Sequence, residues 1–252
     1  MATEPDLNNN ATRTEFILNG LTALIGICAI LITGILIKRE FFSDRTRTIS
    51  HSDRVEYQVL DNWERLAAEG HGIGPADAPI QIVAFSDFQC PACRSFATSI
   101  AALRHSYSDR IRYIFRHFPL ANHPHALAAA HAAECAADQG VFERFHDTLF
   151  SMQDVIGQVQ WVYFAELAAV PDLDGFNACM IAAHSENVER DRNVGIALNL
   201  QGTPTVFLNG KRIEGALPYT QLELLVRKEL TNLAVDHPDK IHESTTKFSL
   251  ES

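Results

Sequence analysis

Two cysteines separated by two residues are the side chains of this sequence with the clearest capacity for chemistry. Cys90 and Cys93 lie in the stretch SDFQCPACRSF, residues 86–96, directly after the apolar run IQIVAF. Thiols at this spacing can cycle between a dithiol and a disulfide through a mixed disulfide with another protein. They could also form half of a zinc site or an inert pair in a core, but the sequence contains no second C-x-x-C to complete a zinc site. The spacing therefore favours a redox pair over those two alternatives.

The change from strand pattern to helix pattern at this point predicts different properties for the two thiols. Pro91 suits the first turn of a helix, so Cys90 should lie beside the free amides of the helix's amino end, with Cys93 one turn further along. Those amides and the positive end of the helix dipole can lower a cysteine pKa from ~8.5 into the ~3.5–7.5 range. We therefore predict that Cys90 is the attacking thiol and Cys93 the resolving thiol.

A second motif, GTPTVFLNG at residues 202–210, places Pro204 at the start of a predicted strand, where proline is tolerated. A cis Thr203–Pro204 bond there would turn the backbone toward the cysteines, and the free main chain could hydrogen-bond an extended substrate. Taken alone, an ordinary trans proline is expected, because cis bonds are only about 5–6% of X–Pro bonds. Together with the cysteine pair upstream, however, this motif favours the cis bond over the trans bond. We therefore predict that Thr203 and Pro204 face the substrate.

Cys135 and Cys179 fall on separate predicted helices and could bridge them as a structural disulfide. Cys28 lies in a different, apolar segment, so four cysteines remain, an even number that is compatible with an oxidising compartment. The alternative is two buried thiols in an alanine-rich region, since unpaired cysteine is often buried.

Four histidines, at positions 117, 123, 125 and 131, invite comparison with a metal site. No acidic ligands are interleaved with them at a fitting spacing, and we expect exposed or hydrogen-bonded side chains instead. The sequence predicts no metal and no cofactor.

The elements around the redox pair follow from hydrophobic periodicity. Residues 57–70 predict a short helix, and the Gly- and Pro-rich residues 70–80 predict a loop. A strand at 80–86, a helix from about 90 to 107 and an alternating strand at 110–118 form a β-α-β opening. This order indicates an α/β fold.

A long helical region follows this opening. Between residues 124 and 150 the apolar positions recur every three, four or seven residues, which predicts one buried helix face. Those positions are Leu127, Ala130, Ala137, Val141, Phe145 and Leu149. Further helical stretches lead to two strands joined by an Asn209-Gly210 hairpin turn, and a final helix is expected near 218–233.

The amino-terminal part contains a candidate membrane helix. Residues 16–37 are mostly apolar and carry no charge, and as a helix they would extend roughly 33 Å, enough to cross a bilayer core. A buried soluble helix or a cleaved signal peptide are the alternatives; the latter is disfavoured because no small-x-small cleavage site follows. Positive residues follow this segment, which by itself would place the main domain in the cytoplasm, whereas the cysteines favour the other side.

The remaining segments are predicted to lack regular structure, and the net charge of the chain argues against one class of partner. Residues 1–15 predict a flexible tail, 38–58 a polar connector and 234–252 a loose carboxyl terminus. A net charge of −10 and a pI near 5.5 argue against nucleic acid as a partner, because phosphate binding needs a concentrated basic surface.

Several of these motifs, in this order, resemble those of DsbA-like thioredoxin-fold proteins of bacterial envelopes. The matching motifs are FSDFQCPACRSF, FRHFPL, HPHALAAAHAAECAADQG, FERFHDTLF and GTPTVFLNG. The resemblance runs from about residue 59 to 233 and implies a thioredoxin fold with a helical insertion at about 120–198. It also implies that Cys90 is the nucleophile, Cys93 the resolving thiol, and Thr203 with cis-Pro204 the substrate-facing loop.

The resemblance further implies a membrane-anchored, extracytoplasmic thiol:disulfide oxidoreductase, most readily an oxidase. Its substrates would be reduced or misoxidised proteins, and a membrane quinone-linked partner would reoxidise it. A reductase or isomerase, or a non-catalytic copper-binding or peptide-binding module, are the alternatives. One position departs from the pattern: many relatives carry a buried acid six residues before the first cysteine, where this chain has Ala84.

Overall fold

The computed structural model describes residues 57–182 and 185–236. The helices are α1 Glu64–Ala68, α2 Pro91–Ser106, α3 Ala126–Ala137, α4 Phe142–Ser151, α5 Trp161–Leu167, α6 Leu173–Ala182, α7 Glu186–Ala197 and α8 Tyr219–Asp236, with a 3₁₀ turn at Gln153–Val155. The strands are β1 His71–Ile73, β2 Ile80–Ser86, β3 Ile111–His117, β4 Thr205–Leu208 and β5 Lys211–Glu214.

These strands form one sheet in the order β1-β3-β2-β4-β5. The β2 and β3 strands are parallel, because the chain crosses over between them through α2, whereas the other neighbours are antiparallel. Asn209 and Gly210 have φ angles of 43° and 83° and make the tight turn from β4 to β5. Since β2 lies at the centre, its carboxyl end delivers the chain into the C-x-x-C segment between two paired strands.

Both faces of the central strands are buried, which explains why IQIVAFS reads as a continuous apolar run. Alternate residues point to opposite faces, so Ile82 and Ala84 join the larger core with α2 and the inserted helices. Val83 and Phe85 pack on the other face in a smaller cluster. Strand β2, which leads into the C-x-x-C segment, is therefore held between two hydrophobic layers.

Helices α3 to α7 form the insertion between β3 and β4. Its alanine-rich helix α3 packs closely, and Ala129, Ala132, Ala133 and Ala136 have exposures of 0%. A disulfide between Cys135 of α3 and Cys179 of α6 joins two of these helices, with a Cα–Cα distance of 5.8 Å.

The structure corrects the expectation of one continuous helix face over residues 124–150. The chain breaks into α3 and α4 at Gly140, whose φ of +74° ends the first helix, and its amide donates to the carbonyl of Ala137 at 2.8 Å. Leu127 was expected on the buried face but is 47% exposed. The apolar spacing was misleading here because it continues across Gly140, where the helix itself ends.

The opening residues also differ from expectation. Only Glu64–Ala68 is helical within the predicted helix at 57–70, because Asn62, two residues before Glu64, adopts a φ of +57°. Within the predicted loop at 70–80, residues His71–Ile73 form β1 along β3. This short strand is stabilised by pairing with a distant segment, which local sequence does not reveal.

Across the described residues, none of the helices has the length and apolar character needed to cross a membrane. The predicted membrane helix at 16–37 lies outside the described residues, as do the tail at 1–15 and most of the predicted connector at 38–58.

Candidate functional site

Cys90 lies at the amino end of α2, where strand geometry changes to helix geometry. Its backbone is extended, with φ −77° and ψ 122°, and Pro91 begins the helix. The amide of Arg94 donates to the Cys90 carbonyl at 3.2 Å, so Cys90 is the cap residue of the helix. Cys93 follows one turn later and is fully buried, whereas Cys90 keeps 6% of its surface exposed. Both are free thiols.

The turn between β2 and Cys90 is held by the buried carboxylate of Asp87. One oxygen accepts the amide of Gln89 at 2.7 Å, and the other accepts the amide of Leu120 at 2.9 Å and contacts Nδ1 of His123 at 2.7 Å. The Asp87 amide donates to Sγ of Cys93 at 3.4 Å. Asp87 therefore connects this turn, residues 87–90 and called the redox turn below, to the segment after β3, and its amide contacts the sulfur of Cys93.

The two sulfurs have opposite acidities. The pKa of Cys90 is lowered to about 5, chiefly by a hydrogen bond from the Cys93 thiol. Burial is the next largest effect and opposes this, whereas Thr203 and the amides of Cys93 and Ala92 lower the pKa further. The pKa of Cys93 is raised well above its ordinary value, first because it is buried and then because the Cys90 thiolate lies beside it. At neutral pH Cys90 is thus a thiolate and Cys93 a thiol that stabilises it.

The predicted substrate loop lies against these sulfurs. The Thr203–Pro204 peptide bond is cis, and the thiol of Cys90 donates to the carbonyl of Thr203 at 3.4 Å. The Thr203 hydroxyl has no hydrogen-bond partner among the described residues. It nevertheless lies close enough to both sulfurs to lower the pKa of each. The structure therefore brings Cys90, Cys93, Thr203 and Pro204 together.

Sequence reasoning missed Gln153, which holds the redox turn from the insertion. This buried amide stands in the 3₁₀ turn and donates to the carbonyls of Phe88 at 2.8 Å and Cys90 at 2.9 Å. The next residue, Asp154, forms an exposed ion pair with Arg94 of α2 at 2.9 Å. No periodic or motif signal marks this glutamine, because its role depends on backbone groups more than 60 residues away.

Ala84, the position where relatives were expected to carry an acid, is fully buried in the larger core. It pairs with Phe115 on one side and Val206 on the other, so its surroundings are apolar. The buried carboxylate nearest to it along the chain is Asp87, beyond the end of the strand.

Among the histidines at positions 117, 123, 125 and 131, His117 and His123 contact carboxylates. His123 contacts Asp87, as described above, and Nε2 of His117 contacts Oε1 of Glu134 at 2.7 Å. The same oxygen contacts Nε2 of His71 at 2.5 Å. Burial opposes ionisation of Glu134, but the hydrogen bonds from His117 and His71 outweigh it and hold the pKa below the usual range. Neither His71 nor Glu134 was singled out from the sequence, because only the fold brings them to His117.

Comparison with known proteins agrees with this architecture. A family model described as thioredoxin matches residues 67–228. Oxidised BdbD from Bacillus subtilis is similar in structure, with a TM-score of 0.58 at 23% identity, covering 65% of this chain and 94% of that one. The thiol-disulfide exchange protein alpha-DsbA2 from Wolbachia pipientis has a TM-score of 0.57 at 20% identity, covering 66% and 91%. ScsC from Proteus mirabilis has a TM-score of 0.57 at 19% identity, covering 88% and 99%.

Curated relatives match over a shorter stretch. The Na(+)/H(+) antiporter NhaA 3 of Salinispora tropica is 36% identical over 151 residues, which is 59% of this chain and 22% of that protein. The Na(+)/H(+) antiporter NhaA 1 of Mycolicibacterium gilvum is 37% identical over 151 residues, or 58% and 24%. This chain thus spans about a fifth to a quarter of these relatives. Because the family match covers more than half of the chain and the strand order and cis-proline loop agree with it, the chain belongs to the thioredoxin family.

Proposed function

We propose that this protein is a thiol:disulfide oxidoreductase that exchanges disulfides with other proteins through Cys90 and Cys93. The observation that carries the proposal is the unequal acidity of the pair, with the pKa of Cys90 at about 5 and that of Cys93 raised. Exchange requires one sulfur that attacks and leaves as a thiolate and another that resolves the mixed disulfide. Two cysteines that only fill a core would not be expected to differ in pKa in this way.

The proposed oxidative cycle begins with a Cys90–Cys93 disulfide. A substrate thiolate attacks Sγ of Cys90, a mixed disulfide forms, and Cys93 leaves and takes up a proton because burial disfavours its thiolate. A second substrate thiolate then attacks the substrate sulfur of the mixed disulfide, and Cys90 leaves as a thiolate. The substrate loses two electrons and gains a disulfide, while the enzyme pair becomes a dithiol.

The low pKa of Cys90 favours the oxidase direction over a reductase or isomerase. A stabilised thiolate stabilises the reduced enzyme, which makes its disulfide more oxidising. A pKa of about 5 falls between the values of thioredoxin, about 7, and DsbA, about 3.5. We therefore expect a reduction potential between about −270 and −120 mV, and a value at the thioredoxin end would favour the reductase. Alpha-DsbA2, described as a thiol-disulfide exchange protein, supports the same class of reaction.

Substrate binding is assigned to the loop before β4. The main chain of Thr203 lies against Cys90, and Pro204 opens the strand, so an extended substrate segment can bond to the backbone here beside the reacting sulfur. Main-chain bonding tolerates many sequences, which suits an enzyme that acts on many unfolded chains.

The proposed setting is the extracytoplasmic face of a membrane, with residues 16–37 as the anchor and a quinone-linked membrane protein as the reoxidising partner. The Cys135–Cys179 disulfide supports an oxidising compartment. The positive residues after position 37 favour the opposite orientation. Labelling of intact cells with a membrane-impermeant thiol reagent distinguishes the two orientations.

Trapping tests the chemistry directly. With Cys93→Ala we expect the Cys90 thiolate to attack a disulfide of a scrambled test protein and to remain attached to it as a stable mixed disulfide, since Cys93 is missing and cannot release it. Cys90→Ser should abolish both the adduct and turnover. Cys28→Ser is the matched control, because that residue lies in the predicted membrane segment, and it should leave turnover unchanged. Full turnover by Cys90→Ser would refute the proposal.

A further inference from the structure

A cluster of two imidazoles and one carboxylate lies apart from the cysteine pair and takes no part in the proposed exchange. It consists of His71 in β1, His117 at the end of β3 and Glu134 in α3. One nitrogen of each histidine and one carboxylate oxygen all lie within 4.8 Å of one another. The side chains of His117 and Glu134 are 1% and 6% exposed, whereas that of His71 is 23% exposed and opens the cluster to solvent.

Neighbouring residues hold two of the three side chains, those of Glu134 and His71, in place. Asn187 of α7 donates its amide to Oε2 of Glu134 at 2.6 Å, which leaves Oε1 directed at the imidazoles. The ring of Phe142 stacks on His71 with the centroids 3.8 Å apart and the planes at 11°. This arrangement matches metal sites, where outer residues fix the orientation of the ligating side chains.

We propose that His71, His117 and Glu134 bind a divalent transition metal ion, of which zinc fits best. Two imidazole nitrogens and a carboxylate oxygen are a common zinc ligand set, and a fourth position can be filled by solvent on the open side of His71. The ion would tie the inserted helix α3 to strands β1 and β3, so its role is to fasten the insertion to the sheet.

The distances allow this with small side-chain movements. Around a tetrahedral zinc, ligand atoms about 2.0–2.1 Å from the metal lie roughly 3.3 Å apart. At present Oε1 of Glu134 is 2.5 Å from His71 and 2.7 Å from His117, as hydrogen bonds require. The carboxylate must withdraw by less than about 1 Å, and the two imidazole nitrogens, which lie within 4.8 Å of each other, must also reach that spacing; side-chain rotations provide both movements. Nδ1 of His117 has no partner among the described residues, so placing its proton there breaks no existing hydrogen bond.

The charge around Glu134 also favours a cation. Glu134 lines a cavity of about 240 Å³, and two further acidic residues, Asp138 and Glu186, also line it. With a net charge of −10 over the chain, a dication is attracted rather than repelled.

Zinc binding to the full chain carrying Cys90→Ser and Cys93→Ser tests the proposal, since the thiol pair would otherwise bind zinc itself. Competition with a chromophoric chelator should give one zinc per chain, and zinc should raise the melting temperature. Cobalt should give a visible absorption without a thiolate charge-transfer band.

Variants in the same background locate the site. Glu134→Gln and His71→Ala, the latter at the partly exposed ligand, should each abolish the one-to-one binding. Asn187→Ala, which removes only the residue that orients Glu134, should weaken it about 10- to 100-fold. His105→Ala, an exposed histidine of α2, is the matched control and should change nothing. Should the parent bind no zinc, or should His71→Ala and Asn187→Ala both bind as the parent does, the cluster is a hydrogen-bond network and the metal site is refuted. This outcome leaves the trapping experiment unaffected.

Discussion

The hydrogen bond from the Cys93 thiol is the largest factor that lowers the pKa of Cys90 from 9.0 to about 5. Replacing Cys93 by alanine removes this donor, whereas serine keeps a hydroxyl donor in the same place. Comparison of the two variants therefore measures the hydrogen bond with the helix amino terminus unchanged.

The expected magnitude follows from the energy of such bonds. A hydrogen bond to a charged group contributes about 1.5–3 kcal/mol, and one pKa unit corresponds to about 1.36 kcal/mol. Cys93→Ala should thus raise the pKa of Cys90 by about 1–2 units, to roughly 6–7, and Cys93→Ser should raise it by less. The thiolate fraction at pH 7 would fall from about 99% in the parent to about 50–90% in the alanine variant.

Two measurements check this on the same samples: the pH dependence of the thiolate's ultraviolet absorbance and the pH dependence of alkylation by iodoacetamide. Because Cys93 is fully buried, circular dichroism should first establish that both variants are folded. If alanine and serine variants both titrate near pH 5, the helix amides and Thr203 alone hold the thiolate, and the reasoning from the thiol pair is wrong.

Three further predictions concern stability. Folding lowers the pKa of Cys90, so the unfolded reduced chain binds more protons than the folded chain between about pH 5 and 8.5. The free energy of unfolding of the reduced form should therefore fall by about 3–4 kcal/mol from pH 8 to pH 5, as measured by denaturant melts. The oxidised form is the reference, because its Cys90 does not titrate. Replacing Cys135 and Cys179 by alanine removes a disulfide that closes a loop with a sequence separation of 44. Urea melts should show that the free energy of unfolding falls by up to about 4 kcal/mol. An unchanged urea midpoint would show that this disulfide does not stabilise the fold. The fully buried guanidinium of Arg116 lies 2.7 Å from the carboxylate of Asp191. Asp191→Ala removes this partner and should lower the free energy of unfolding by about 3–5 kcal/mol. Replacing both residues by leucine should recover part of that loss.

Local sequence predicted the parts of the site that depend on neighbours along the chain. An apolar run followed by C-P-x-C contains within a few residues both the strand and the helix start that place Cys90. The proline after Thr203 marks its strand start in the same way. The hairpin at Asn209-Gly210 was equally evident, because those residue types adopt the required positive φ angles.

Local pattern failed where distant segments decide the conformation. The β1 strand forms because β3 lies beside it, and the helix over 124–150 divides at Gly140, whose φ is +74°.

The sequence by itself therefore determined that two thiols lie one helical turn apart where a strand leads into a helix, and which local elements hold them. Only the tertiary structure decided what surrounds them, including the glutamine at 153 that bonds the redox turn and the histidines that meet Glu134. The physical reason is that a thiol at a helix terminus acquires its character from adjacent peptide groups. A side chain such as that of Glu134 acquires its partners from residues up to 63 positions away, which only the packing of the sheet and the insertion brings within hydrogen-bonding distance.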